Sequence, residues 1–165
     1  MAWEPLDSQL KLKTEALYPP LCDTSLTWVD TLVGLQAMIL TLQGVTEFAI
    51  DLEAHNYRSF AGFVCLMQIS TRVADYLVDP LVLRPHMALL LDVFTNPKIV
   101  KVLHGADSDI VWLQRDFGLY IVNMFDTGQA MRVLAFPRFS LAYLLKYYCD
   151  VNADKSFQLA DWRIR

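Results

Sequence analysis

A chain of 165 residues, 55% of them hydrophobic and with a positive mean hydropathy, suits one domain with a sizeable core and excludes a disordered polypeptide. Fourteen Lys and Arg against 18 Asp and Glu leave a net charge of −4. That balance argues against nucleic-acid binding by bulk electrostatics, though not against an acidic site neutralised by cations. The scattered cysteines, Cys22, Cys65 and Cys149, fit reduced thiols in a reducing compartment rather than a disulfide frame or zinc site.

In chain order, residues 1–25 read as an extended lead-in broken by Pro5, Pro19 and Pro20, with no apolar core of a secretory signal. Asp30 is placed to cap a helix from Thr31 to Gln43, whose apolar stretch is too short to span a bilayer. Three strands are predicted next, at Glu47–Glu53, Phe63–Thr71 and Asp75–Asp79, joined by short polar segments as in antiparallel hairpins. Pro85–Phe94 reads as a helix with proline in its first turn, and Ile99–Leu103 as a buried β-branched strand. Ser108–Phe117 is a helix closed by Gly118, and Tyr120–Phe125 a further strand. Helices at Thr127–Leu134 and Leu141–Tyr148, separated by Pro137, complete the series. A meander followed by alternating helices and strands implies an α/β fold: a mixed sheet flanked by helices, RNase H-like in type. Met38, Met67, Met87, Met124 and Met131 read as core filler.

The chemistry is concentrated in two short stretches. Phe48-Ala49-Ile50-Asp51-Leu52-Glu53 alternates along a strand, so Asp51 and Glu53 share one face and the apolar residues the other. Paired carboxylates repel unless a cation sits between them, and sites made of oxygen alone suit Mg²⁺ or Mn²⁺. The second stretch is His104-Gly105-Ala106-Asp107-Ser108-Asp109, at the start of a helix. On local grounds Asp51 and Glu53 fit a solvated strand edge as well as a metal site. Acids near a helix N-terminus are favoured by the dipole, so Asp107, Ser108 or Asp109 could each cap.

The segments DLEAHNYRSFAGFVCLMQIST, HGADSDIVWLQRDFGLYIVNMFDT and SLAYLLKYYCDVNADKSFQLADWRIR resemble the DEDD superfamily of 3′–5′ exonucleases. Within it they look most like the RNase D branch, in its Rrp6-type form from the nuclear exosome. The resemblance runs from about Trp28 to Arg165, with several motifs in order at compatible spacing. It implies a DnaQ-like exonuclease domain over 26–165 without its last helices. It also implies that Asp51, Glu53 and Asp109 are catalytic acids holding two Mg²⁺ or Mn²⁺ ions. The family's fourth acid lies in a Tyr-x-x-x-Asp motif beyond DWRIR. No residue follows Arg165 in this sequence, so the chain is expected to lack that motif and to be weakly active or inactive. Ala54 stands where close relatives often carry histidine, while His55 remains.

The resemblance further implies a metal-dependent exoribonuclease that releases nucleoside 5′-monophosphates from single-stranded RNA 3′ ends. It implies ribosomal RNA precursors as substrates, the exosome core as partner, no membrane, and a nuclear or nucleolar site of action. His55, His104, Trp112 and Lys155 are the candidate substrate contacts, each beside a plainer role. His104 fits a satisfied turn histidine, and Trp112, one turn from Asp109, fits either base stacking or core packing. Lys155, in the segment with Gln158 that the family places near substrate, fits a phosphate contact or an exposed lysine. Asp126 reads as a helix cap, and Arg163 and Arg165 as structural or exposed. The competing function is a catalytically incomplete module that binds RNA or a protein.

Overall fold

Six strands make one mixed sheet in the computed structural model, which describes residues 4–5, 7–11, 18–20 and 23–165. They are β1 (Ser25–Val29), β2 (Glu47–His55), β3 (Phe63–Ser70), β4 (Ala74–Val78), β5 (Val100–Leu103) and β6 (Met124–Asp126). Their spatial order is β1-β4-β3-β2-β5-β6. The meander β2-β3-β4 is antiparallel, as the short polar connections implied. β5 joins β2 in parallel and β6 joins β5 in parallel, as strands alternating with helices require.

The helices are α1 (Asp7–Leu10), α2 (Leu32–Gln43), a 3₁₀ helix (Arg84–Leu90) running into α3 (Leu91–Phe94), α4 (Asp107–Phe117), α5 (Thr127–Val133) and α6 (Leu141–Cys149). Leu35, Met38, Ile39 and Leu42 of α2 bury against Phe48, Ile50 and Leu52 of β2 and Val64, Met67 and Ile69 of β3. Met87, Leu90, Val93 and Phe94 from the 3₁₀ helix and α3, with Leu113 of α4, complete that core. The Phe48 and Phe94 rings meet at 5.8 Å between centroids, tilted by 50°. This face of β2 is the apolar one, so the alternation turns Asp51 and Glu53 to the other side of the sheet. No helix among the described residues is long and apolar enough to cross a membrane.

Several expectations need correction. The edge strand β1 was not anticipated: it is short, follows a proline-broken segment, and leaves Leu26 and Trp28 exposed. Thr31, not Asp30, caps α2, because its hydroxyl accepts the Gly34 N–H at 3.1 Å. The segment Pro85–Phe94 is 3₁₀ before it becomes α-helical, with Pro85 in the first turn. The last strand starts at Met124 rather than Tyr120, since Asn123 takes a left-handed φ of 63° that an extended strand cannot continue. Met124 is 37% exposed on that edge strand and fills no core. Much of the expected lead-in, and Cys22 with it, lies outside the described residues. Where the lead-in is described it includes the single-turn helix α1, and the Tyr18 hydroxyl donates to the Cys149 carbonyl at 3.0 Å.

Candidate active site

The carboxyl ends of the three parallel strands β2, β5 and β6 gather the chemistry, where open α/β sheets place their ligand crevices. β2 brings Asp51 opposite Gln68 and Glu53 opposite Leu66 on β3. A β-bulge interrupts the ladder between Glu53 and Ala54, which redirects the strand just beyond the second acid. β5 leads through His104 and Gly105 into α4, whose third residue is Asp109, 8% exposed. Gly105 holds φ at +68°, the left-handed turn that swings the chain from strand into helix.

Asp126 sets that turn. Its Oδ1 accepts the backbone N–H of Gly105 at 2.9 Å, Gly128 at 2.7 Å and Gln129 at 3.2 Å. Its Oδ2 accepts Ala106 N–H at 2.9 Å. One carboxylate therefore caps α5 and clamps the loop that aims Asp109. Burial works to raise its pKa, but these backbone donors outweigh it and hold the group below the usual carboxylate range. The capping role was legible in the sequence; the reach back to residues 105 and 106 was not. No side chain caps α4 itself, whose N-cap is Ala106, and Asp107 is exposed in its first turn.

The three candidate acids act on one another. Burial, then the charges of Asp51 and Asp109, push the Glu53 carboxyl up to about 7. Burial, then Asp51 and more weakly Asp126, push Asp109 up to about 6 against the pull of its own backbone N–H. Asp51 keeps an edge open to solvent, yet protein crowds its other sides and raises it too; the Leu52 N–H and nearby His104 moderate that rise. The structure thus holds three mutually repelling carboxylates near one place, an arrangement that a bound cation relieves. Among the described residues no three His, Cys, Asp or Glu side chains converge on one point closely enough to cage an ion. Mg²⁺ rarely asks for such a cage, because it keeps waters and takes one or two carboxylates with substrate phosphate oxygens. The donor set fits that chemistry.

The remaining candidates separate. The His104 Nδ1 lies 2.9 Å from the Thr127 hydroxyl, which itself donates to the Leu103 carbonyl at 3.1 Å. Thr127 has one hydrogen to give, so Nδ1 carries the proton, and the turn satisfies that nitrogen of His104 beside Asp51. His55 is buried: its Nε2 accepts the Arg58 N–H at 3.3 Å, and its Nδ1 lies 3.8 Å from Asp161. Trp112 is half-buried and packs on the core. Lys155 is exposed in the irregular segment after α6. Arg165, read as structural or exposed, chelates Asp79 with Nε at 2.5 Å and Nη2 at 2.8 Å.

Residues 26–165 match the family of 3′–5′ exonucleases. The chain belongs to that family. Exosome complex component 10 of Homo sapiens is 53% identical over 161 residues, which cover 98% of this chain and 18% of the human protein. The exosome complex exonuclease RRP6 of Saccharomyces cerevisiae is 57% identical over 138 residues, covering 84% of this chain and 19% of the yeast protein. The catalytic core of RRP6 from Trypanosoma brucei superimposes with a TM-score of 0.96 at 50% identity, covering 98% of this chain and 45% of that structure. Escherichia coli RNase D, at 22% identity and a TM-score of 0.76, shares the fold, covering 86% of this chain and 38% of its own. The expected Rrp6-type resemblance and RNase H-like α/β fold are therefore both borne out. DnaQ-like exonucleases of this family depend on metal. The chain spans about a fifth of the length of the curated relatives it matches.

Proposed function

We propose that this chain carries the catalytic acids of a metal-dependent 3′–5′ exoribonuclease that works with the exosome core in nuclear RNA processing and decay. The observation that carries this reading is the coupled trio Asp51, Glu53 and Asp109 at the carboxyl ends of the parallel strands. The kinship with exosome component 10 and RRP6 supports it. The products are nucleoside 5′-monophosphates, the substrates single-stranded RNA 3′ ends such as those of ribosomal RNA precursors, and the setting the nucleus and nucleolus.

Asp51, Glu53 and Asp109 would hold two Mg²⁺ or Mn²⁺ ions, each carboxylate supplying hard oxygen donors. Bound there, such ions acidify water and neutralise charge at a scissile phosphate. The protein's own share is placement. Asp126 fixes the turn that sets Asp109, and the β2 ladder fixes the spacing of Asp51 and Glu53. Trp112, one turn along α4 from Asp109, offers a ring edge for a terminal base, and Lys155 a cation for phosphate. His55 and His104 brace the site through one ring nitrogen each, His55 Nε2 held by the Arg58 N–H and His104 Nδ1 by the Thr127 hydroxyl.

The test is degradation of 3′-labelled and 5′-labelled single-stranded RNA with Mg²⁺ or Mn²⁺, by this chain and by the whole gene product that carries it. Shortening from the 3′ end that Asp51→Asn abolishes supports the proposal. RNA bound but never shortened by either form overturns it in favour of a binding module.

A further inference from the structure

The segment 151–165, which follows α6, contains no helix or strand and buries little. Phe157, Leu159 and Ile164 are 67%, 97% and 75% exposed, so hydrophobic burial does not hold it down. Its hydrogen bonds are mostly internal, such as Gln158 N–H to the Lys155 carbonyl and the Asp161–Arg163 pair at 2.6 Å. Among the described residues three polar contacts fasten it to the sheet and its strand ends, and two of them flank Glu53. Asp161 faces His55, two residues beyond Glu53 on β2 and just past the bulge. Arg165 donates from Nη2 to the Cys65 carbonyl at 2.6 Å, and Cys65 adjoins Leu66, the cross-strand partner of Glu53.

Arg165 makes the stronger fastening. Its guanidinium grips both oxygens of Asp79, lies 5.6 Å from the centre of the Trp28 ring, and donates from Nη1 to the Trp162 carbonyl at 2.7 Å. Asp79 is 2% exposed and also accepts the Leu81 and Val82 N–H groups, so it is a rigid post at the end of β4. A buried carboxylate in a planar fork is a directional anchor that a lysine's point charge does not reproduce.

We propose that Arg165 is a positioning residue: its clasp on Asp79 and Cys65, with the lighter His55–Asp161 contact, straps residues 151–165 across the sheet beside Glu53. The strap so held stands beside Glu53 and forms one wall of the RNA site. This rests on the nuclease reading above.

The test compares the wild-type chain with Arg165→Met, Arg165→Lys and the double variant Asp79→Asn with Arg165→Met, which leaves no buried charge unpaired. Amide hydrogen exchange over 151–164 reads the strap. The affinity for a fluorescent 3′-hydroxyl oligoadenylate with Ca²⁺ as cation reads the wall, and thermal unfolding reads the fold. The expected result is faster exchange confined to the strap and RNA affinity weaker by about tenfold in Arg165→Met and the double variant. Arg165→Lys should recover part of both. Unchanged exchange in a folded double variant overturns the clasp, and faster exchange with unchanged affinity overturns the wall. A wild-type chain that does not bind the oligonucleotide overturns the nuclease reading instead, while the exchange data still decide the clasp.

Discussion

Removing one charge from the acidic centre should stabilise the metal-free protein, and the size of the gain follows from the carboxylates themselves. Glu53 moves from an ordinary value of 4.5 up to about 7, and Asp109 from 3.8 up to about 6. A tenfold change in proton affinity is worth about 1.4 kcal/mol, so either group alone carries about 3 kcal/mol of folding penalty once ionised. The two share the same repulsion, so about 3 kcal/mol describes the centre as a whole. The sign is set by proton uptake. A carboxyl whose folded pKa is raised binds more protons folded than unfolded, so its stability is fully present at low pH. That stability is lost as pH rises through about 6 for Asp109 and about 7 for Glu53. The lowered groups Asp79, Asp116 and Asp126 change charge below the ordinary carboxylate value of 3.8 and leave the window from pH 5 to 8 clear.

Thermal unfolding in a chelator should therefore show stability falling by about 2 kcal/mol from pH 5 to pH 8, or about 6 °C in Tm for a chain of this length. Asp51→Asn should flatten that fall and raise stability at pH 8 by about 1 kcal/mol. Adding Mn²⁺ should reverse the order, because only the wild type gains from binding. A chelated wild type whose stability is flat or rises from pH 5 to 8, or an Asp51→Asn variant that is less stable at pH 8, would refute the reasoning.

Further outcomes follow from single contacts. Asp126→Ala strips the acceptor from four backbone N–H groups and should cost about 3 kcal/mol in urea unfolding, whereas Asp126→Asn, which keeps Oδ1, should cost about 1. Gly105→Ala should cost about 1 kcal/mol, all of it from φ +68°, since nothing lies within 4 Å of the added methyl. Gly128→Ala should cost more, because its methyl would meet the Gly105 backbone nitrogen at 3.2 Å. Lys101, fully buried, donates to the Asn96 and Ile99 carbonyls at 2.8 and 2.7 Å, and burial lowers its pKa to about 8. The folded state therefore binds fewer protons than the unfolded between about pH 8 and 10.5, and stability should rise across that window. Lys101→Met should abolish that part of the rise, seen as the wild-type-minus-variant difference in urea midpoints.

The acidic face of β2 was legible because it obeys a local rule. Alternation on β2 alone puts Asp51 and Glu53 on the side away from Phe48, Ile50 and Leu52, and burial along the strand follows it. The helix after the His104-Gly105-Ala106 turn and its Gly118 stop were equally local. What the sequence hid depends on distance along the chain. The hold of Asp126 on residues 105 and 106 spans some 20 positions, and the grip of Arg165 on Asp79 spans 86. No periodicity announces such contacts. The edge strand β1 was hidden for another reason: its large side chains are exposed, so the burial contrast that marks a strand is missing. Lys101 sits in a run of apolar residues, and nothing in its neighbours foretold three backbone carbonyls converging on its amine.

The most direct measurement is a Mn²⁺ titration of the 165-residue chain by isothermal calorimetry and electron paramagnetic resonance, with wild type, Asp51→Asn, Glu53→Gln and Asp109→Asn side by side. If the three acids form the metal site, wild type binds Mn²⁺ and each substitution weakens or removes that binding while the fold persists. Equal Mn²⁺ binding by all four proteins, or none by a folded wild type, would contradict the assignment of Asp51, Glu53 and Asp109 as the metal-holding centre.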